Sequence, residues 1–188
     1  MAVRTDQDEE LHPITVEAYH RMFELGVLTE DDRVELLDGA LIAMSPQGDR
    51  HHRVATELAG RFWRGTPEHL MVTTHGPMTA SPLSEPEPDV FVVDATAFDG
   101  GGHPSSGHLL VEVSSTSLRK DLLRKARIYA SAGVPEYWVI DVQRDAVHVH
   151  RDPAGDGYVS VEEVGPPAVL RPLHSDLPTV DLGALLRR

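Results

Sequence analysis

The stretch from Leu109 to Asp141 constrains the fold most. Leu109-Leu-Val-Glu-Val113 is almost wholly apolar, a helical pattern runs from about Leu118 to Ala132, Gly133-Val-Pro135 breaks it, and Glu136-Tyr-Trp-Val-Ile-Asp141 is a second apolar run. Strands that lack polar alternation need cover on both faces, and a helix between two of them is the crossover that returns a chain to the same sheet. The expected fold class is therefore α/β, with a mixed central β-sheet flanked by helices.

The rest of the chain fills in around that block. Residues 1–13 are polar, acidic and end at Pro13, and read as a loose leader; 14–188 read as a single domain. Thr15 is an N-cap for a short helix from Val16 to Leu25, which Gly26 terminates. Asp38-Gly39 between two apolar runs, within Arg33 to Met44, predicts a β-hairpin. Val54, Leu58 and Phe62 recur at helical spacing over Asp49 to Arg64, and Gly65 and Pro67 stop the pattern. Leu70 to His75 and Asp89 to Asp94 read as strands, the second introduced by the stiff Glu85-Pro-Glu-Pro88. A Gly- and Ser-rich loop spans 99–107. Ala146 to Arg151 and Tyr158 to Val164 read as antiparallel strands, and Asp181 to Arg187 as a final short helix.

Composition excludes several kinds of protein. A chain of 188 residues is the size of one folded unit, which usually runs to about 100–200 residues. No apolar run reaches the roughly 18 residues that cross a bilayer, and the first residues lack the apolar stretch of a secretory signal, so the expected location is cytoplasmic, with no membrane partner. There is no cysteine, so a metal has to be held by carboxylates, histidines or carbonyls. The formal net charge of −13 argues against a protein that coats nucleic acid non-specifically. It leaves room for an enzyme with a local basic surface, such as Arg119 to Arg127.

Three residues are out of place for a purely structural chain. Glu112 lies inside an apolar strand, where a carboxylate costs several kcal/mol unless it is paired or binds a metal. The plain alternative is a strand-end glutamate that meets an arginine. Asp89 opens another apolar strand after Pro88, a position that turn chemistry alone also explains. Lys125 falls at the edge of the inward helix face formed by Leu118, Leu122, Ala126 and Tyr129, and could instead snorkel its ammonium to solvent. Two carboxylates and one ammonium suit phosphodiester hydrolysis with Mg²⁺ or Mn²⁺, because the metal takes phosphate oxygens and water as its remaining ligands.

Pro88-Asp89, Glu112 23 positions later and Lys125 on the next helix resemble the PD-(D/E)XK nuclease superfamily, with its restriction-endonuclease-like fold. More specifically, Val111-Glu-Val-Ser-Ser-Thr-Ser-Leu-Arg-Lys-Asp121 with Lys125, Tyr129 and Ala132 to Asp141 is similar to the Uma-two family of endonucleases. Arg33-Val-Glu-Leu-Leu-Asp-Gly39 and Met44-Ser-Pro followed by His51 match its N-terminal half. The resemblance implies a Mg²⁺-dependent endonuclease whose metal set is Asp89, Glu112, Val113 and Glu35, with Asp89, Glu112 and Lys125 catalytic. Glu35 could otherwise be the solvent-facing position of a half-buried strand. The lysine expected two positions after the glutamate is replaced by Ser114, so Lys125 is its migrated equivalent.

Possible phosphate contacts are His51, Ser114, Lys120 and Arg124. The exposed helix face with Lys120, Arg124 and Arg127 is the best candidate for nucleic-acid backbone contact, whereas Tyr129, Tyr137 and Trp138 read as core. Nucleic acid, with DNA the first choice, is the expected partner. One site cuts one strand, so a double-strand cutter requires a homodimer. Two rival readings stand: a non-catalytic interaction module that keeps the nuclease fold, and a histidine-based metalloenzyme, which needs three of the 11 histidines to converge.

Overall fold

The computed structural model describes residues 3–4 and 10–187. Much of the expected leader over 1–13 lies outside the described residues; within it, β1 (Val3–Arg4) and β2 (Glu10–Leu11) pair antiparallel. The Thr15 hydroxyl accepts the Ala18 N–H at 3.2 Å and so caps α1 (Val16–Glu24), while Gly26 follows its end at φ 68°. The hairpin forms as expected from β3 (Val34–Leu37) and β4 (Ala40–Ala43). Asp38 and Gly39 both take positive φ, 50° and 76°, the conformation that matches the twist of the flanking strands.

After α2 (Asp49–Gly65) come β5 (Leu70–Thr74), β6 (Val90–Asp94) and β7 (Leu109–Ser114). The crossover is next, a π-helical segment Lys120–Lys125 that runs into α3 (Ala126–Ser131), and it delivers β8 (Glu136–Asp141). β9 (Ala146–Ala154) and β10 (Gly157–Val164) form a long antiparallel pair, and the short β11 (Val169–Leu170), β12 (Val180–Asp181) and α4 (Leu182–Leu185) close the chain. The six-stranded sheet has the order β10-β9-β8-β7-β6-β5, and only β7 and β8 run parallel, across the crossover.

The sheet carries a core on each face. Val54, Leu58 and Phe62 of α2 pack with Val90, Val92, Val111, Val113, Trp138 and Ile140 on one side. Phe91, Val93, Leu110, Tyr137 and Val139 face Ala126, Ile128 and Tyr129 of α3 on the other. Side chains alternate along a strand, so Glu112, next in phase after Leu110, points to the α3 face, and Asp89, two before Phe91, points the same way. Both carboxylates therefore meet the helix that bears Lys125.

That helix departs from regular α spacing. Residues 120–125 close on i→i+5 bonds, so Lys120 and Lys125 lie on one face, whereas an α-helix would set them about 140° apart. Lys125 accordingly lies inside the protein and not at the edge of the inward face. No described helix is long and apolar enough to cross a membrane.

Candidate active site

A cavity of about 40 Å³ opens where the ends of β6 and β7 meet the hairpin and the π-helical segment. Glu35, Glu87, Asp89, Glu112 and Asp121 line it together with Lys120 and Lys125. That volume admits an ion or a water and excludes a nucleotide, so a phosphate would have to approach from the mouth.

The antiparallel register that pairs Val90 with Val111 brings Asp89 beside Glu112 at the ends of these two inner strands. The Val113 N–H donates to Asp89 Oδ2 at 2.7 Å, and Asp89 Oδ1 faces Gln47 Nε2 at 3.3 Å, His51 Nε2 at 3.1 Å and His75 Nδ1 at 3.5 Å. These contacts fix the carboxylate's orientation. Glu112 is 5% exposed, and its Oε1 accepts from Lys125 Nζ at 2.9 Å and from the Tyr129 hydroxyl at 2.8 Å. Burial pushes the Glu112 carboxyl well above the usual carboxylate range, and Asp121, Asp89 and Glu35 add to the push against the pull of Lys125.

Glu35 comes from the hairpin, which is docked on the strand-leading segment by the Glu85 N–H donating to Leu36 O at 2.7 Å. At 1% exposure it is not the solvent-facing residue of the plain alternative. Its Oε1 accepts from Lys120 Nζ at 2.7 Å, and its Oε2 lies 2.8 Å from Lys125 Nζ. Burial opposes its ionisation, but Lys125 and Lys120 outweigh that and hold its pKa below the ordinary value. Lys125 is 3% exposed and does not snorkel. Desolvation disfavours its charge, yet Glu112, Glu35 and Asp121 more than compensate and raise its pKa, so the ammonium persists.

Not every expected contact is brought to the cavity. Ser114 is fully buried, and its hydroxyl meets Ser117 Oγ at 3.2 Å, so it cannot touch a phosphate. Arg124 turns to the hairpin, donating to Asp38 Oδ2 at 3.0 Å and Leu37 O at 2.7 Å, and Arg127 joins it on Asp38 at 2.5 Å. With Lys120 on Glu35, the helix face expected to grip a nucleic-acid backbone instead clamps the hairpin. His51 lines the cavity while its neighbour His52 is exposed, as their opposite directions require.

Sequence reasoning missed Glu87, Asp121 and the role of Tyr129. Burial raises the pKa of Asp121, whose Oδ2 accepts from the Ser117 hydroxyl at 2.5 Å, and burial also raises that of Glu87. Asp121 stands four residues before Lys125, and that spacing was the available signal. Tyr129 is core, as expected, but its hydroxyl also holds Glu112.

Four buried carboxylates and the half-buried Glu87 outnumber two ammoniums, and the carboxylates offer hard oxygen donors. Such a set fits Mg²⁺ or Mn²⁺, with Asp89, Glu112 and Glu35 the residues able to hold it. No three histidines among the described residues bring their ring nitrogens together as a metal site requires, although three stack loosely elsewhere. The His108 and His174 rings are 4.6 Å apart and those of His69 and His174 6.4 Å apart, at the end of β6 where His108 pairs with Asp94 at 2.9 Å.

A putative nuclease of Anabaena variabilis, described as belonging to DUF820, has a similar crystal structure. It superposes with a TM-score of 0.66 at 19% identity, over 93% of this chain and 98% of that one, and shares the restriction-endonuclease-like fold. No curated protein matches. The family described as "Uma2: Putative restriction endonuclease" matches residues 16–180, nearly the whole of the domain that carries the cavity, and the chain belongs to that family.

Proposed function

We propose that this protein is a metal-dependent endonuclease of PD-(D/E)XK type that hydrolyses DNA phosphodiester bonds. The observation that carries the reading is the convergence of Asp89, Glu112, Glu35 and Lys125, from four separate elements, on one small acidic cavity. Asp89 and Glu112, with Glu35 and Val113 beside them, would hold Mg²⁺ or Mn²⁺. The bound cation supplies Lewis acidity to water and to a phosphate oxygen. Lys125, kept protonated by its carboxylates, offers positive charge to the phosphate as negative charge develops in the transition state. Tyr129 and Lys125 fix the Glu112 carboxylate, and His51 and Gln47 fix that of Asp89, which pre-organises the oxygens before any ligand arrives. His51 and Lys120, at the cavity wall, are the remaining candidates for phosphate contact.

DNA as substrate accords with a cytoplasmic location, and cutting both strands calls for a homodimer with two such sites. The test is cleavage of supercoiled plasmid with Mg²⁺ or Mn²⁺. Glu112→Gln keeps the shape and removes the charge, so it should lower the rate by at least about 100-fold. Cleavage that persists undiminished in Glu112→Gln overturns the assignment.

One observation favours the second reading, a non-catalytic interaction module. Lys125 already bridges Glu112 and Glu35, at 2.9 and 2.8 Å, and so neutralises part of the charge that would attract a metal. Calorimetry separates the two: Mg²⁺ or Mn²⁺ binding lost in Asp89→Ala supports the enzyme, and no binding by the native chain supports the module.

A further inference from the structure

His20 on α1, Glu85 in the extended segment before β6 and His103 in the glycine-rich loop come from three distant stretches of chain. Each nonetheless offers one ligand atom within 4.8 Å of the others. Glu85 is the anchor. It is 2% exposed, Thr79 Oγ1 donates to its Oε2 at 2.6 Å, and its Oε1 lies 2.6 Å from His20 Nε2. With one oxygen held by Thr79, the other is presented to the imidazoles in a fixed direction. The His20 and His103 rings meet edge to face with centroids 5.7 Å apart. None of the three residues lines the carboxylate cavity.

We propose that His20, Glu85 and His103 form a second metal site, selective for Zn²⁺ or a similar transition-metal ion. Two imidazole nitrogens and one carboxylate oxygen make a borderline donor set, which favours Zn²⁺, Co²⁺ or Ni²⁺ over Mg²⁺. Three protein ligands leave a fourth position for water or an incoming group. Metal–ligand bonds of about 2.0–2.1 Å require ligand atoms roughly 3.4 Å apart, so His20 Nε2 and Glu85 Oε1, now 2.6 Å apart, have to separate to admit the ion, and His103 adjusts with them. The loop permits this: Gly101 and Gly102 sit at φ 75° and 80°, and no atom lies within 4 Å of a Cβ built on either. The ion ties α1 and the loop to the segment that leads into Asp89. The site does not rest on the nuclease reading and holds even if the carboxylate cavity proves inert.

The experiment is calorimetric titration of Zn²⁺ into the full chain, without a histidine tag and in excess Mg²⁺, with the visible spectrum of the Co²⁺ form as a second readout. The expected result is one Zn²⁺ per chain. His20→Ala and His103→Ala should each weaken binding by at least about tenfold, since even outer-shell partners of a metal contribute that much. Glu112→Gln and His174→Ala should leave it unchanged. Both histidine variants replace partly or fully exposed side chains, and thermal melts without metal check that they fold. Absence of Zn²⁺ binding, binding that survives either His20→Ala or His103→Ala, or binding lost in His174→Ala overturns the proposal; the last assigns the ion to the His69, His108 and His174 cluster.

Discussion

Lys125 has exchanged the hydration of an ammonium for two carboxylates and near-complete burial. Removing such a charge leaves its partners buried without compensation, which typically costs about 3–5 kcal/mol. Lys125→Met should destabilise the protein by that amount in urea denaturation. Glu112→Gln added to it should recover part of the loss, because it removes one of the stranded charges; no recovery would mean that the packing of Lys125, and not its pairing, is what matters. His150 supplies a separate, pH-dependent term. Its ring packs between Tyr137 and Tyr158, with centroids 5.4 and 5.5 Å away and Nε2 without a partner, and burial, aided by His148, lowers its pKa to about 4. The folded state keeps this ring neutral while the unfolded chain protonates it near pH 6.5. Between those values the unfolded state binds the extra proton, so stability falls as pH falls from about 6.5 to 4 and is insensitive to this group above that window. Urea midpoints across the range should fall less steeply in His150→Gln than in the native chain. The same physical cost made part of the cavity legible in sequence. Glu112 and Asp89 stood out because a carboxylate in an apolar strand needs a reason, whereas Glu87 in a proline-rich segment and Asp121 on a polar helix turn needed none.

At the scale of elements, the Asp38-Gly39 hairpin was readable to within a residue because its turn requires positive φ at both positions, which few residue pairs supply. The apolar strands were readable for the same local reason, as was the cap at Thr15. The π-helical segment was not. Its residues suit an α-helix equally well, and the register is fixed by distant partners, Glu35 for Lys120 and Lys125, Asp38 for Arg124 and Arg127. Hairpin and helix thus define each other's geometry, and the cavity depends on both. Gly39 tests this dependence. At φ 76°, a Cβ on it would come 2.5 Å from Pro13 Cβ and 2.9 Å from Pro13 Cα. Gly39→Ala therefore combines left-handed strain with a backbone clash and should cost at least about 1–2 kcal/mol. By displacing Glu35 it should also weaken Mn²⁺ binding measured by calorimetry, although residue 39 touches no part of the cavity. Unchanged stability and unchanged Mn²⁺ affinity together would show that the hairpin docks independently of its turn.

Across the whole molecule, charge limits how the proposed DNA substrate could be held. The net charge is −13, and many of the cations are already engaged: Arg50 with Asp145, Arg53 and Arg61 with Glu57, Lys120 with Glu35, Arg124 and Arg127 with Asp38, Arg151 with Glu136. A protein that neutralises Z phosphates loses affinity with salt at a logarithmic slope of about −0.9Z. With so many of its cations committed internally, each chain should neutralise no more than about three phosphates, for a slope of about −3 or shallower. On the proposed function, its hold on DNA would then depend on the metal and the cavity wall more than on a basic surface. The measurement is duplex binding by Glu112→Gln, which separates affinity from cleavage, between low and physiological salt. A slope near −6 per chain would mean that the internal pairs open to take phosphates, and Arg124 and Arg127, released from Asp38, would then be the first cations to substitute.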